Sequence, residues 1–84
     1  MPPRGKPIDD PELLGRLREE MERQQSLMDA TKIAYLNNAP LGDHVPSVDE
    51  VRVAAQAFID ANYKYQKALF GRVRVKLSVA NLLR

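Results

Sequence analysis

Ala39-Pro40-Leu41-Gly42-Asp43-His44-Val45-Pro46-Ser47-Val48-Asp49-Glu50 is the stretch on which the fold turns. Two prolines bracket a turn, and Gly42 between them supplies a left-handed backbone position where a tight turn needs one. Directly after it, Ser47 to Glu50 has the S-x-x-E pattern of a capping box. In that device the serine hydroxyl takes the N–H three residues on, and the glutamate reaches back to the serine. Val45 or Pro46 stands where an apolar staple against Val51 is expected. One helix must therefore end before Pro40 and another begin at Ser47.

Reading outward, prolines occur at 2, 3, 7, 11, 40 and 46 only, which leaves 12–39 and 47–84 free of them. A proline inside a helix costs about 3 kcal/mol, so its confinement to the gaps is what two helices require. Asp10 is placed to cap the first helix, and Pro11 fits its first position, where a missing N–H does no harm. Leu14, Leu17, Met21, Gln24, Met28, Thr31 and Tyr35 then alternate three and four apart, the seam of a heptad pattern. Leu13, Leu27 and Leu36 widen it on one flank. The second segment carries Val51, Ala55, Phe58, Asn62, Tyr65 and Leu69 on one stripe. Ile59, Tyr63, Gln66, Phe70, Val73, Leu77 and Ala80 form a neighbouring one. Two adjacent stripes make a wide apolar face, which packs on more than one neighbour.

These patterns predict an all-α chain: an antiparallel helical hairpin with a helix over 11–38, a loop over 39–46 and a helix over 47–83. Residues 1–8 read as a flexible tail and 9–84 as a single domain. Two hairpins are expected to dimerise into a four-helix bundle. Leu14, Leu17, Met21, Met28, Tyr35, Phe58, Tyr65, Leu69 and Leu77 are the residues expected in helix–helix interfaces. The segment 71–84 is ambiguous. It alternates from Arg72 to Val79 with the period of a half-exposed strand, yet the same residues continue the second helical stripe. Helix is the favoured reading, because a lone strand has nothing in this chain to pair with. A break near Gly71 would give a short third helix.

The chain of 84 residues has no cysteine and one histidine, His44. So small a domain is marginal alone and is usually supported by disulfides, a metal or oligomerisation. Only the last is compatible with this composition, so a homo-oligomer or a protein partner is expected. No apolar run is long enough to span a membrane. The basic, proline-rich start leads into Asp9-Asp10 rather than an apolar stretch, unlike a signal peptide, and the cytoplasm is the expected location.

The net charge of +2 hides a segregation. Residues 9–30 hold seven acids against three arginines, whereas 64–84 hold six cations and no acid. Folding at Gly42 brings these ends together, so that they neutralise each other across the hairpin or across a dimer. Glu12 is then expected near Arg72 and Arg74, Asp9 and Asp10 near Lys76, and Glu19 and Glu20 near Lys64 and Lys67. Such pairs set orientation more than stability. The alternative is that Lys64, Lys67, Arg72, Arg74 and Lys76 form a surface for nucleic acid or another polyanion.

No catalytic, cofactor-binding or metal-binding residues are expected. Asp43-His44 lacks the serine, cysteine or second histidine that would complete a base or a metal site, and reads as a plain loop histidine. Tyr63 and Tyr65 beside Lys64 and Lys67 resemble the interleaving of single-strand binders. On a helix, however, the two tyrosines point to different faces, so at least one belongs to the core. The expected function is a non-enzymatic helical interaction module, a small subunit, adaptor or assembly factor acting through homo- or hetero-oligomerisation. Nucleic-acid or polyanion binding by the basic C-terminal segment is the alternative.

Overall fold

A computed structural model describes residues 7–83. The chain is all-helical, with α1 at Pro11–Leu36, α2 at Val48–Phe70 and a short α3 at Val79–Leu82. Helices α1 and α2 pack side by side as the expected antiparallel hairpin.

Local chemistry sets each boundary. Asp10 accepts from the N–H groups of Glu12 and Leu13 at 3.0 and 3.3 Å, with Pro11 in the first turn. Helix α1 stops two residues short of the predicted 38 in a Schellman motif. Asn38 takes the left-handed position (φ 50°), its N–H donates to Tyr35 O, and the Ala39 N–H donates to Ala34 O. Gly42 adopts φ 73° in the turn closed by the Leu41 N–H on His44 O, the role its place between the prolines implies. Ser47 caps α2 by accepting from the Glu50 N–H at 3.3 Å. The capping box is only half made, however, because the Glu50 carboxylate turns to His44 instead of to Ser47.

Two expectations need correction. First, α2 does not run to 83. Gly71 takes φ 79° and ends the helix after Phe70. Residues 72–78 then return along α2 as an extended strap that belongs to no sheet, and α3 follows. Neither a continuous helix nor a strand is present there, and the predicted break with a short third helix is what forms. Second, among the described residues no ion pair links α1 to α2 or to the strap. Glu12 pairs with Arg16, Glu22 with Arg18, Glu20 with Arg23 and Asp49 with Arg52, all within one helix. Partners three or four residues away sit beside each other in any helix, and they capture Glu12, Glu20 and Glu22 before a cross-hairpin cation can. The one trace of the expected arrangement is at Glu20. Its carboxyl is held below the usual range by the Gln24 amide, with smaller contributions from the charges of Arg23 and Lys64.

The core is thin. Met28, Ala55 and Phe58 form its centre, with Met21, Ala54, Leu77, Val79 and Leu82 packed around them. Four of the eight buried apolar residues are alanines, so large side chains contribute little to it. Cα dimensions of 49 × 25 × 15 Å describe a flat, elongated molecule. Domains bury their apolar faces between packed layers. Here the contact between α1 and α2 is built largely from small side chains, and apolar residues such as Leu69, Phe70 and Val75 stay exposed.

Candidate functional site

The strap is held by side chains rather than by a neighbouring strand. Gln66, only 6% exposed, accepts from the N–H groups of Arg74 and Val75 at 2.7 and 2.8 Å and donates back to Val75 O at 2.8 Å. Its amide thus pairs with the strap much as a peptide group of an adjacent strand would. It also donates to Asn62, whose own amide reaches the Met21 sulfur of α1 at 3.1 Å. Three residues before Gln66, the Tyr63 hydroxyl does the same for Leu77, accepting from its N–H at 3.0 Å and donating to its C=O at 2.9 Å. The Lys32 ammonium of α1 donates to Leu82 O at 2.8 Å and fixes α3. No buried side-chain polar atom among the described residues lacks a partner.

Held in this way, the strap becomes the third wall of a groove of about 530 Å³. Met21 and Gln25 of α1 form one side, Phe58, Asn62, Tyr65, Gln66, Leu69 and Phe70 the floor, and Val75 and Leu77 the strap side. Leu69, Phe70 and Val75 remain 37%, 41% and 61% exposed. The Arg74 guanidinium stacks over the Phe70 ring, 4.9 Å from its centroid, at the groove edge.

The predicted interface residues divide accordingly. Met28 and Phe58 are buried between the helices. Leu14 and Leu17 are half-buried along α1. Met21, Phe58, Tyr65, Leu69 and Leu77 converge on the groove, and Tyr35 lies exposed near the end of α1. The five candidate anion-binding residues are split between two places. Lys64 and Lys67 line a separate groove of about 420 Å³ with Ile8, Leu13, Leu17 and Ala68, where the Ile8 N–H donates to Ala68 O at 2.8 Å. Arg72, Arg74 and Lys76 lie on the strap. None of the five forms an ion pair among the described residues. The remainder of the predicted tail, residues 1–6, lies outside the described residues.

Sequence reasoning missed Tyr63 and Gln66 as the residues that position the strap. A glutamine in the middle of an otherwise apolar stripe was the available signal. His44 also does more than a plain loop histidine. Its Nδ1 is 2.8 Å from Asp43 Oδ1, and its Nε2 is 2.9 and 3.0 Å from the two Glu50 oxygens. These contacts tie the loop to the first turn of α2. The hydrogen bond His44 makes to Asp43 and then that to Glu50, with the Glu50 charge, raise the His44 pKa above its ordinary 6.5. A group whose folded pKa is raised stabilises the fold below its unfolded pKa and loses that contribution as pH climbs through the folded value. The loop is therefore expected to loosen as pH rises above 6.5. Histidine NMR titration checks this: Asp43→Asn is expected to lower the His44 pKa most, Glu50→Gln less. A titration that neither substitution moves would contradict the bridge.

No group of three or more potential metal-ligating side chains occurs among the described residues, and no described helix is long and apolar enough to cross a membrane. Comparison with family models, with curated proteins and with solved structures finds no match.

Proposed function

We propose that this chain is a non-enzymatic helical interaction module, a small subunit, adaptor or assembly factor that works by homo- or hetero-oligomerisation. The observation that carries this reading is the open groove, with Leu69, Phe70 and Val75 exposed along it. Contiguous apolar surface of this kind marks interaction sites. A second hairpin laid on that face would cover it and make a four-helix bundle. Light scattering of the isolated chain at micromolar concentration tests the homo-oligomeric form. A mass above 9.5 kDa is expected, falling towards the monomer in Leu69→Asp, and an assembly indifferent to that substitution would place the interface elsewhere.

A second reading, polyanion binding, draws support from the absence of ion pairs at Lys64, Lys67, Arg72, Arg74 and Lys76 among the described residues. Cations without such partners are available to phosphates. Binding through them must weaken steeply as salt rises, so no binding to DNA or RNA at low salt would end this reading.

A further inference from the structure

We infer that the groove between α1 and the strap receives an acidic amphipathic helix from a partner protein. This rests on the interaction-module reading and names the partner's chemistry. Charge complementarity carries it. None of the ten residues lining the groove is acidic. Arg74 stacks over the groove residue Phe70 and sets a cation at the groove edge, and Arg72 and Lys76 lie on the same strap. No carboxylate of this chain pairs with any of them among the described residues.

Shape agrees with charge. The floor runs along α2 from Phe58 to Phe70, about 18 Å at the helical rise, which matches three to four turns of a docked helix. Such a helix seats apolar anchors at i, i+3 or i+4 and i+7. A glutamate or aspartate on its polar face would then meet Arg74 at the groove edge, where the guanidinium donates two parallel hydrogen bonds to a carboxylate. A second copy of this chain is the competing occupant, although three of its α1 acids, Glu12, Glu20 and Glu22, already pair with Arg16, Arg23 and Arg18. A nucleic acid is a poorer one. Only three of the ten lining residues are aromatic, and the Phe70 face that a base would stack on is covered by Arg74.

The test titrates the full chain against labelled synthetic peptides of about 14 residues, four helical turns. One carries leucines at the anchor spacing with glutamate between them, one has lysine in place of glutamate, and one is the acidic peptide scrambled. A single-stranded oligonucleotide is the fourth probe. The acidic amphipathic peptide is expected to bind more than about tenfold tighter than the other three. Leu69→Asp and, independently, Val75→Asp are expected to weaken it by about tenfold. Both positions are exposed enough for the variants to fold, which circular dichroism verifies. Joint reversal of Arg72, Arg74 and Lys76 to glutamate is expected to switch the preference to the lysine peptide. Equal binding of the scrambled peptide, tighter binding of the oligonucleotide, or indifference to both aspartate variants overturns the inference. If the chain self-associates through Leu69 and takes no peptide, the inference fails and the interaction-module reading stands. A fully stable monomer that binds none of the probes removes both.

Discussion

Gln66→Leu lowers the stability of the chain by about 2–4 kcal/mol and frees the strap. The substitution keeps the volume and apolar contacts of a buried position but strips Arg74 N–H, Val75 N–H and Val75 C=O of their only partner. Each such hydrogen bond contributes roughly 1 kcal/mol net, and a group left dry and unpaired costs about 1–3 kcal/mol. Release into water recovers part of that, which sets the range. Tyr63→Phe removes both bonds to Leu77 and is expected to cost about 1–2 kcal/mol. Urea unfolding gives the energies, and amide exchange at Val75 and Leu77 locates them. Unchanged exchange at these amides in Gln66→Leu would show that something other than Gln66 holds the strap.

Phe58→Ala is expected to be more damaging still. Phe58 is 7% exposed at the meeting point of Met28 and Ala55, and with Met28 it is one of only two large buried side chains in that cluster. Truncating a buried phenylalanine costs about 3–5 kcal/mol, because transfer energy is lost and a cavity remains. Small domains often have no more than 5 kcal/mol to lose. The variant should therefore show no cooperative thermal transition. A cooperative transition with a loss under about 1 kcal/mol would mean that the core lies elsewhere.

Most of the hairpin was legible because local chemistry decides it. Asp10-Pro11, Gly42 and Ser47 act within a few residues of themselves, and each does what its type and position imply. Gly71 was legible as a break for the same reason. The strap was not. From Arg72 to Val79 the apolar residues fit both the strand period and the helical stripe, and the groups that decide between them, Gln66 and Tyr63, lie 8 to 14 residues upstream. Side-chain amides and hydroxyls that stand in for a strand leave no periodic trace. The charge arrangement was misread because opposite ends of a hairpin are near each other only on average, whereas Glu12 and Arg16 are neighbours on every turn of helix. The groove follows from the strap. Its apolar residues were visible as Met21, Tyr65, Leu69 and Leu77, but its third wall exists only once residues 72–78 turn back.

A hairpin with so alanine-rich a core should not stand alone. Denaturant unfolding of the isolated full chain, repeated across a wide range of protein concentration, tests that most directly. The expected result is either a midpoint that rises with concentration, the mark of a fold completed by a second copy, or a monomer stable by less than about 5 kcal/mol. A concentration-independent monomer well above that value, with a cooperative two-state transition, would contradict a chain that needs a partner on its open face.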